Sequence, residues 1–355
     1  AGAYRAEERW STPGALDTRR QLGLLSMNDS KPLLSDWQLG IAKPEHDARL
    51  RILFSQAFGH AISQEEWDWK YAETKFRGSM LSKNSGELVG FFGGMPRPFI
   101  YQGKIYLGVQ NGDVMVRARE RGIFSRRGAF YQVASHFIEQ FIGPDSIYAF
   151  GFGFPHHRAF RLGIELGLYE QAGHLKELSW KINNLAKSWG WGWELLEKNE
   201  LGAEIVEKLW GNMQRSFPDY FLPVRDSHRW NWRYQQRPEG NYQILLLRKR
   251  ITGKPLAVLA LRFHEDYCHW LDYIGPHEHL AMAAQAGCEF AKTQQKPLRA
   301  LVNDSIVDYF TTADPKQISI KSSGIYIPTN INTSKIDPKP WINKLWLMGG
   351  DSDFM

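Results

Sequence analysis

The chain has 355 residues, of which 14% are aromatic and 23% are charged, and its formal net charge is +6. This composition excludes a disordered, collagen-like or low-complexity chain, and the length favours two domains with a substantial core. The two cysteines, Cys268 and Cys288, exclude a disulfide framework, and no apolar run approaches the roughly 18 residues of a membrane span. We therefore expect a cytoplasmic protein that does not cross a membrane.

The first half of the chain shows a regular series of elements after an irregular start. Residues 1–35 have no lasting apolar period, so we expect a flexible tail there. A strand at 37–42 and a helix at 46–59 follow, and Ser63 three residues before Glu66 is a capping-box pattern for a second helix. The series continues with three strands, a helix, a strand and a helix, predicted at 79–84, 87–102, 104–116, 125–141, 146–154 and 156–167.

A short motif of the first half recurs in the second half. The two copies are Trp67, Trp69, Lys70 and Tyr71 in the first half and Trp230, Trp232, Arg233 and Tyr234 in the second. Each copy precedes two strands joined by a glycine turn, and the later elements of the second half are predicted at 267–274, 279–294, 298–303 and 305–313. We predict a duplication, with domains at 36–180 and 181–355. The motif's tryptophans are either core anchors or a stacking surface for sugars or bases.

The residues from Asp113 to Gly128 have the composition of an anion site. A strand ends at Val116, Gly122 lies in a basic loop, and a helix is predicted to begin near Ser125. Free N–H groups at a helix start attract anions, and glycine lets the backbone approach them closely. Five arginines against Glu120 give a local charge of +4: Arg117, Arg119, Arg121, Arg126 and Arg127. The alternatives are a solvated basic turn or a nucleic-acid contact.

This segment resembles the anion loop of the GNAT acyltransferases, written Q/R-x-x-G-x-G/A. Arg119 and Gly122 match its first and fourth positions, and Val116, Arg121 and Gly122 match the wider form V-x-P-x-x-R-G-x-G. Residues 153–155 and 162–168 are similar to the strand-helix ending of the family. The resemblance covers about residues 36–350. It implies an α+β fold of two tandem GNAT-like domains, each with a mixed central sheet flanked by helices.

The resemblance also implies an acyl-CoA site in the first half, with acetyl-CoA as the expected co-substrate. Strand backbone would pair with the pantetheine amides, and the loop would hold the pyrophosphate. The residues expected to contact the cofactor are Val114, Met115, Val116, Arg121, Gly122, Ile123, Phe124, Ser125, Arg126 and Arg127. The second half has Pro276 and no arginine cluster in the corresponding stretch, so we expect a degenerate loop without cofactor there.

Two departures from the family pattern concern the chemistry. His156 stands where the family often has an asparagine, and Gly163 stands where it often has the tyrosine that protonates the leaving thiolate. Asp113 and His156 are the candidate acid and base groups, and an ordinary structural role is the alternative for each. Tyr131 and Tyr169 are also available.

The function implied is transfer of an acyl group, most simply acetyl, from acyl-CoA to an amine of a small molecule or amino sugar. The alternatives are a non-catalytic acyl-CoA sensor or scaffold, an aminoacyl-tRNA-dependent transferase, and a nucleic-acid binder. A homo-oligomer is compatible with the sequence. No metal site is expected, because His264, Cys268, His269, His277 and His279 match no standard ligand spacing. The carboxylates of residues 349–353 either line the acceptor site or belong to a frayed end.

Overall fold

The computed structural model describes seven segments of the chain, residues 37–122, 125–143, 145–182, 189–196, 202–311, 318–330 and 339–353. The expected tail at 1–35 lies outside the described residues.

Thirteen strands and eight helices form the described fold. The strands are β1 Trp37–Ala42, β2 Gly78–Lys83, β3 Leu88–Tyr101, β4 Lys104–Val116, β5 Phe150–Phe152, β6 Tyr169–Trp180, β7 Trp191–Leu196, β8 Leu222–Pro223, β9 Gln243–Lys249, β10 Pro255–Phe263, β11 Cys268–Ile274, β12 Leu298–Asn303 and β13 Ile318–Asn330. The helices are α1 Asp47–Phe58, α2 Gln64–Tyr71, α3 Ala129–Phe141, α4 His157–Glu165, α5 Ala203–Ser216, α6 Ser227–Trp230, α7 Leu280–Lys292 and α8 Val307–Thr311. A π-helical turn, Asn231–Gln235, continues α6.

Local sequence signals account for the early elements. The capping box predicted for α2 is partly present, because the Ser63 hydroxyl accepts from the Glu66 N–H at 3.0 Å. The apolar face predicted for α3 is buried against the sheet, with Val133, Phe137 and Ile138 almost fully enclosed. Strands β1, β4 and β12 have the predicted bounds.

All the strands belong to one mixed sheet with the order β1-β2-β3-β4-β5-β13-β6-β12-β11-β10-β9-β7, and β8 pairs with β3. The first five strands come from the first half and the last five from the second. Helices pack against the sheet in both halves. The expected α+β class, with a mixed sheet flanked by helices, is confirmed.

The two strands at the middle of the sheet are exchanged between the halves. Strand β6 is the last strand of the first half in sequence but pairs antiparallel with β12 of the second half. Strand β13 is the last strand of the second half but pairs with β5 of the first half, and β6 and β13 pair with each other. Each half therefore depends on the other for the strand that completes its sheet.

Four local expectations need correction. Helix α3 begins at Ala129, four residues later than predicted, because residues 125–128 form a hydrogen-bonded turn. Strand β5 has only three residues. The apolar residues 344–348 also suggest a strand in the sequence, but they contribute only the isolated bridges of Leu345 and Met348. Strands β6 and β13 were not predicted. Among the described residues, no helix is long and apolar enough to cross a membrane.

Candidate active site

The pairing of β4 with β5 ends part-way along β4, and we call the side of β4 that it leaves unpaired the opening. Their parallel pairing covers three residue pairs and stops at Gln110 opposite Phe152. Strand β4 continues for six more residues to Val116, still paired with β3 but without β5. Its backbone on the β5 side is thus available to a ligand that adds as a strand. The predicted cofactor strand, Val114 to Val116, lies on this stretch.

A bulge at Asp113 separates the two parts of β4. Gly112 pairs with Gly93 and Met115 with Phe91, so two residues of β4 face one residue of β3. Asp113 has a φ of 50°, a value that aspartate adopts more readily than most residues. The base of the opening is closed by the Asn111 amide, which donates to the Asn330 side chain of β13 at 2.6 Å.

The loop after β4 leads to an uncapped helix start. Gly122 has a φ of +98°, and a Cβ there would meet nothing within 4 Å. Helix α3 has Gly128 at its N-cap, and no side chain caps it. The first N–H groups of α3 therefore lack intrahelical acceptors and carry the positive end of the helix dipole. The predicted cofactor residues Ile123 and Phe124 lie outside the described residues.

The five arginines of this segment do not all provide free charge. Arg117 and Arg119 both contact the Glu87 carboxylate, with the Arg117 contact at 2.6 Å. Arg121 donates to the carbonyls of Val116 and Ala57 and so braces the loop against β4 and α1.

The remaining two arginines, Arg126 and Arg127, lie at the start of α3. Both are exposed. The Arg126 guanidinium stands 5.8 Å from the centre of the Tyr131 ring. Among the described residues neither forms an ion pair. Arg121 also keeps its charge, because its acceptors are carbonyls, so three of the five arginines have no carboxylate partner in the described part of the chain, and two of them stand beside the helix start.

Asp113, a predicted acid or base group, is buried in a polar network. Its carboxylate accepts from the Lys70 ammonium at 2.7 Å and from the Tyr71 hydroxyl at 2.8 Å. Lys70 also contacts Asp353 at 2.8 Å. This network holds the bulge in place, since both donors come from α2.

The network shifts the protonation of its members. Burial alone lowers the pKa of Lys70, but the two carboxylates outweigh it and the pKa is raised, so the cation is retained. Burial and the Asp113 charge together raise the pKa of Tyr71. Burial favours a higher pKa for Asp353, but Lys70 prevails and lowers it. Two buried carboxylates therefore share one ammonium.

His156, the other predicted acid or base group, is exposed at the N-cap of α4. Its backbone bridges to Ile325 of β13, and no contact joins its side chain to Asp113 within the described residues. Gly163 is buried, and a Cβ there would lie 1.9 Å from the ring of Tyr169. The place of the expected helix tyrosine is therefore filled by the Tyr169 ring.

The second half repeats the network around its own bulge. The bulge in β11 lies between Trp270 and Asp272. Asp272 accepts from the Tyr234 hydroxyl at 2.9 Å, as Asp113 does from Tyr71, but its cation is Arg225 at 2.7 Å. The hydroxyl of Tyr273, the next residue of this strand, donates to the Pro276 carbonyl at 2.7 Å. The stretch after β11 has no arginine cluster that would correspond to the basic loop of the first half.

The two tryptophan motifs meet where α2 contacts the π-helical turn after α6. The rings of Trp69 and Trp232 stack with centroids 4.5 Å apart and planes 10° apart. Each indole N–H donates to the backbone carbonyl of the other residue, at 2.8 and 3.2 Å. Both residues are buried, which favours core anchors over a surface for sugars or bases.

The comparisons with solved structures find the same fold. A conserved Enterococcus faecalis protein described as a probable N-acyltransferase gives a TM-score of 0.62 at 14% identity, covering 83% of this chain and 72% of that one. A GCN5-related N-acetyltransferase from Anabaena variabilis gives 0.60 at 14% identity, covering 82% and 72%. N-myristoyltransferase of Saccharomyces cerevisiae with bound myristoyl-CoA gives 0.51 at 10% identity, covering 89% and 90%.

No family model and no curated protein matches this sequence. At these identities the structural likeness establishes the architecture. The chain has the fold of GCN5-related N-acetyltransferases, in two consecutive units that share one sheet.

Proposed function

We propose that this protein is an acyltransferase that binds acyl-CoA in the opening between β4 and β5 and transfers the acyl group to an amine. One observation carries the proposal: three features follow one another along the chain at this opening. They are the end of β4 that has no pairing with β5, the loop with the positive-φ Gly122, and the uncapped start of α3. Together they offer strand backbone to amides and N–H groups to a pyrophosphate. The probable N-acyltransferase, the acetyltransferase and the myristoyltransferase that share the fold support this chemistry.

The residues proposed to hold the cofactor keep distinct roles. Val114, Met115 and Val116 pair with the pantetheine arm, and the loop from Arg121 to Arg127 faces the pyrophosphate. Arg126 and Arg127 supply the charge, whereas Arg121 holds the loop in shape. The acyl group is proposed to be acetyl and the acceptor a small-molecule amine or amino sugar, in the cytoplasm.

The acid and base roles of Asp113 and His156 remain predictions. The Asp113 carboxylate already accepts hydrogen bonds from Lys70 and Tyr71, so the geometry favours a positioning role for Asp113. His156 is exposed and free to meet a substrate. Much of the rate would then come from holding the amine and thioester together.

The second candidate function is a non-catalytic acyl-CoA sensor, which is favoured by the missing tyrosine at Gly163. Release of free thiol from acetyl-CoA, measured over a panel of amines, separates the two. We expect turnover with at least one amine, and we expect His156→Gln to lower kcat without changing acetyl-CoA affinity. Tight acetyl-CoA binding without turnover on any amine would favour the sensor.

A further inference from the structure

A small pocket lies between the two halves, close to the Trp69–Trp232 pair. Its volume is about 40 Å³, enough for roughly three water-sized groups, and thus about the size of a carboxylate or phosphate group. The pocket is partly open, because Arg97, Val224 and Asp351 at its margin are only half-buried. Four arginines line it: Arg97 of β3, and Arg225, Arg229 and Arg233 of the second half.

Two of these arginines are neutralised by carboxylates. Arg225 contacts Asp272 at 2.7 Å and Asp351 at 2.8 Å. Arg229 contacts Glu73. Asp272 and Asp351, the acidic residues that line the pocket, are therefore already paired with Arg225.

Arg233 and Arg97 both donate to neutral groups. Arg233 donates to the carbonyls of Gly350 at 2.8 Å and Ser352 at 3.1 Å. Arg97 donates to the Gln110 side chain at 3.1 Å and to the Pro96 carbonyl at 3.0 Å. Within the described part of the chain, Arg97 forms no ion pair with a carboxylate.

The surroundings of Arg97 are unfavourable for its positive charge. Burial and the nearby Arg229 guanidinium lower the pKa of Arg97 to about 9. The side chain nevertheless stays protonated near neutral pH, since even this lowered pKa lies about two units above it. The carboxylates of Asp353 and Glu73 offset part of the cost of burying this cation, and an anion in the adjoining pocket would relieve more of it.

The pocket is also connected to the candidate active site. Gln110, which accepts from Arg97, donates in turn to Asp353 at 2.9 Å. Gln110 is the last residue of β4 that pairs with β5, so Arg97 stands one side chain away from the opening. A group held by Arg97 would therefore lie near the substrates.

We propose that this pocket binds an oxyanion, a carboxylate or a phosphate group, and that this group belongs to the acceptor amine. The second clause rests on the proposed transferase function, whereas the first does not. Guanidinium groups suit such oxyanions because their planar N–H donors match two oxygens at once.

Inorganic phosphate is the probe for the binding site itself. The melting temperature is measured against phosphate concentration at constant ionic strength, with chloride as the balancing anion. Because phosphate is also expected at the start of α3, the comparison is made in the Arg126→Ala/Arg127→Ala background. Arg97→Gln removes the charge, and Arg248→Gln, which removes the partner of Glu194 on β7, is the matched control.

We expect phosphate to raise the melting temperature of the background variant and of the Arg248→Gln control. Arg97→Gln should need about tenfold more phosphate for the same shift, the cost of one charged hydrogen-bond donor. No effect of phosphate in the background variant, or an equal effect with Arg97→Gln, would overturn the oxyanion site.

Pairs of acceptor amines test whether the oxyanion belongs to the acceptor. One member of each pair carries a carboxylate, and the other is the same amine with the carboxylate replaced by a neutral amide. For an acidic acceptor, Arg97→Gln should raise KM about tenfold and leave the KM of the amide unchanged. If phosphate binds but Arg97→Gln changes the KM of the acidic acceptor and of its amide equally, the oxyanion site stands and only the assignment of the oxyanion to the acceptor is overturned. Phosphate binding without any turnover would contradict the transferase function and leave the oxyanion site standing.

Discussion

At the scale of single residues, a buried carboxylate fixes each of the two bulges. Asp113 and Asp272 each accept from a tyrosine hydroxyl, Tyr71 and Tyr234, which comes from a repeated motif. The sequence allowed Asp113 to be singled out for chemistry, because it lies near the end of a strand that leads into the predicted loop. It did not reveal the burial of Asp113, since Lys70 and Asp353 reach the same point from distant parts of the chain.

Removal of the Lys70 cation tests this role. Lys70→Met leaves Asp113 and Asp353 buried and adjacent without a counter-charge, so we expect a loss of about 3–5 kcal/mol in the free energy of unfolding. Urea unfolding gives the value. Arg161→Met, which removes the exposed pair with Glu165, is the control and should cost less than about 0.5 kcal/mol. A similar small loss for Lys70→Met would contradict a structural role.

Buried His269 should make the protein sensitive to acid. Burial, with His264 and nearby arginines, lowers the pKa of His269 to about 3. Between pH 6.5 and 3 the unfolded chain binds a proton that the folded chain does not, so stability falls as the pH falls and is full above 6.5. The effect on the free energy of unfolding is at most about 5 kcal/mol.

The variant His269→Gln checks this by urea unfolding from pH 7 to pH 4. We expect a shallower loss of stability with falling pH than in the wild type. Replacement of the exposed His60 by glutamine should leave the slope unaltered. An unchanged slope in His269→Gln would show that this histidine does not carry the acid sensitivity.

At the scale of elements, the sequence predicted what local patterns control. The strand at 104–116 and the Ser63 cap follow from alternation and turn chemistry, and both are present. The strands β6 and β13 were missed, because their partners lie in the other half and no local pattern identifies an exchange. The start of α3 was placed too early, since Ser125 resembles a cap although a turn follows it.

The contact between α2 and the π-helical turn is the element-scale link between the halves. Trp69 and Trp232 stack and exchange hydrogen bonds across it. In a double-mutant cycle with Trp69→Leu and Trp232→Leu, we expect each single change to cost about 2–4 kcal/mol. The coupling between them should be about 0.5–1.5 kcal/mol or more. Additive losses would show that the two rings do not stabilise each other.

At the scale of the whole molecule, the exchange of β6 and β13 ties the halves into one sheet. The duplication predicted from the repeated motif remains a prediction, which the matching bulges, tyrosine contacts and reciprocal tryptophans support. The predicted domains at 36–180 and 181–355 are sequence units. The first lacks β13 and the second lacks β6, so neither carries all strands of its own sheet.

Separate expression of residues 36–180 and 181–355 tests this dependence. We expect each fragment alone to lack a cooperative unfolding transition, because β5 and β12 lose their neighbours and leave unpaired backbone. Co-expression should give a one-to-one complex that unfolds in a single transition. A folded, monomeric 36–180 fragment would contradict the interlocked architecture.

The central claim is that the opening beside β4 binds acyl-CoA, and calorimetric titration with acetyl-CoA tests it most directly. Gly122→Asp places a negative charge in the loop. Gly253→Asp is the matched control, because Gly253 also has a positive φ, +64°, with nothing within 4 Å of a Cβ, in the turn between β9 and β10. We predict one binding site per chain in the wild type and the control, and at least about tenfold weaker binding in Gly122→Asp. Absence of binding to the wild type, or equal binding by the two variants, would contradict the claim.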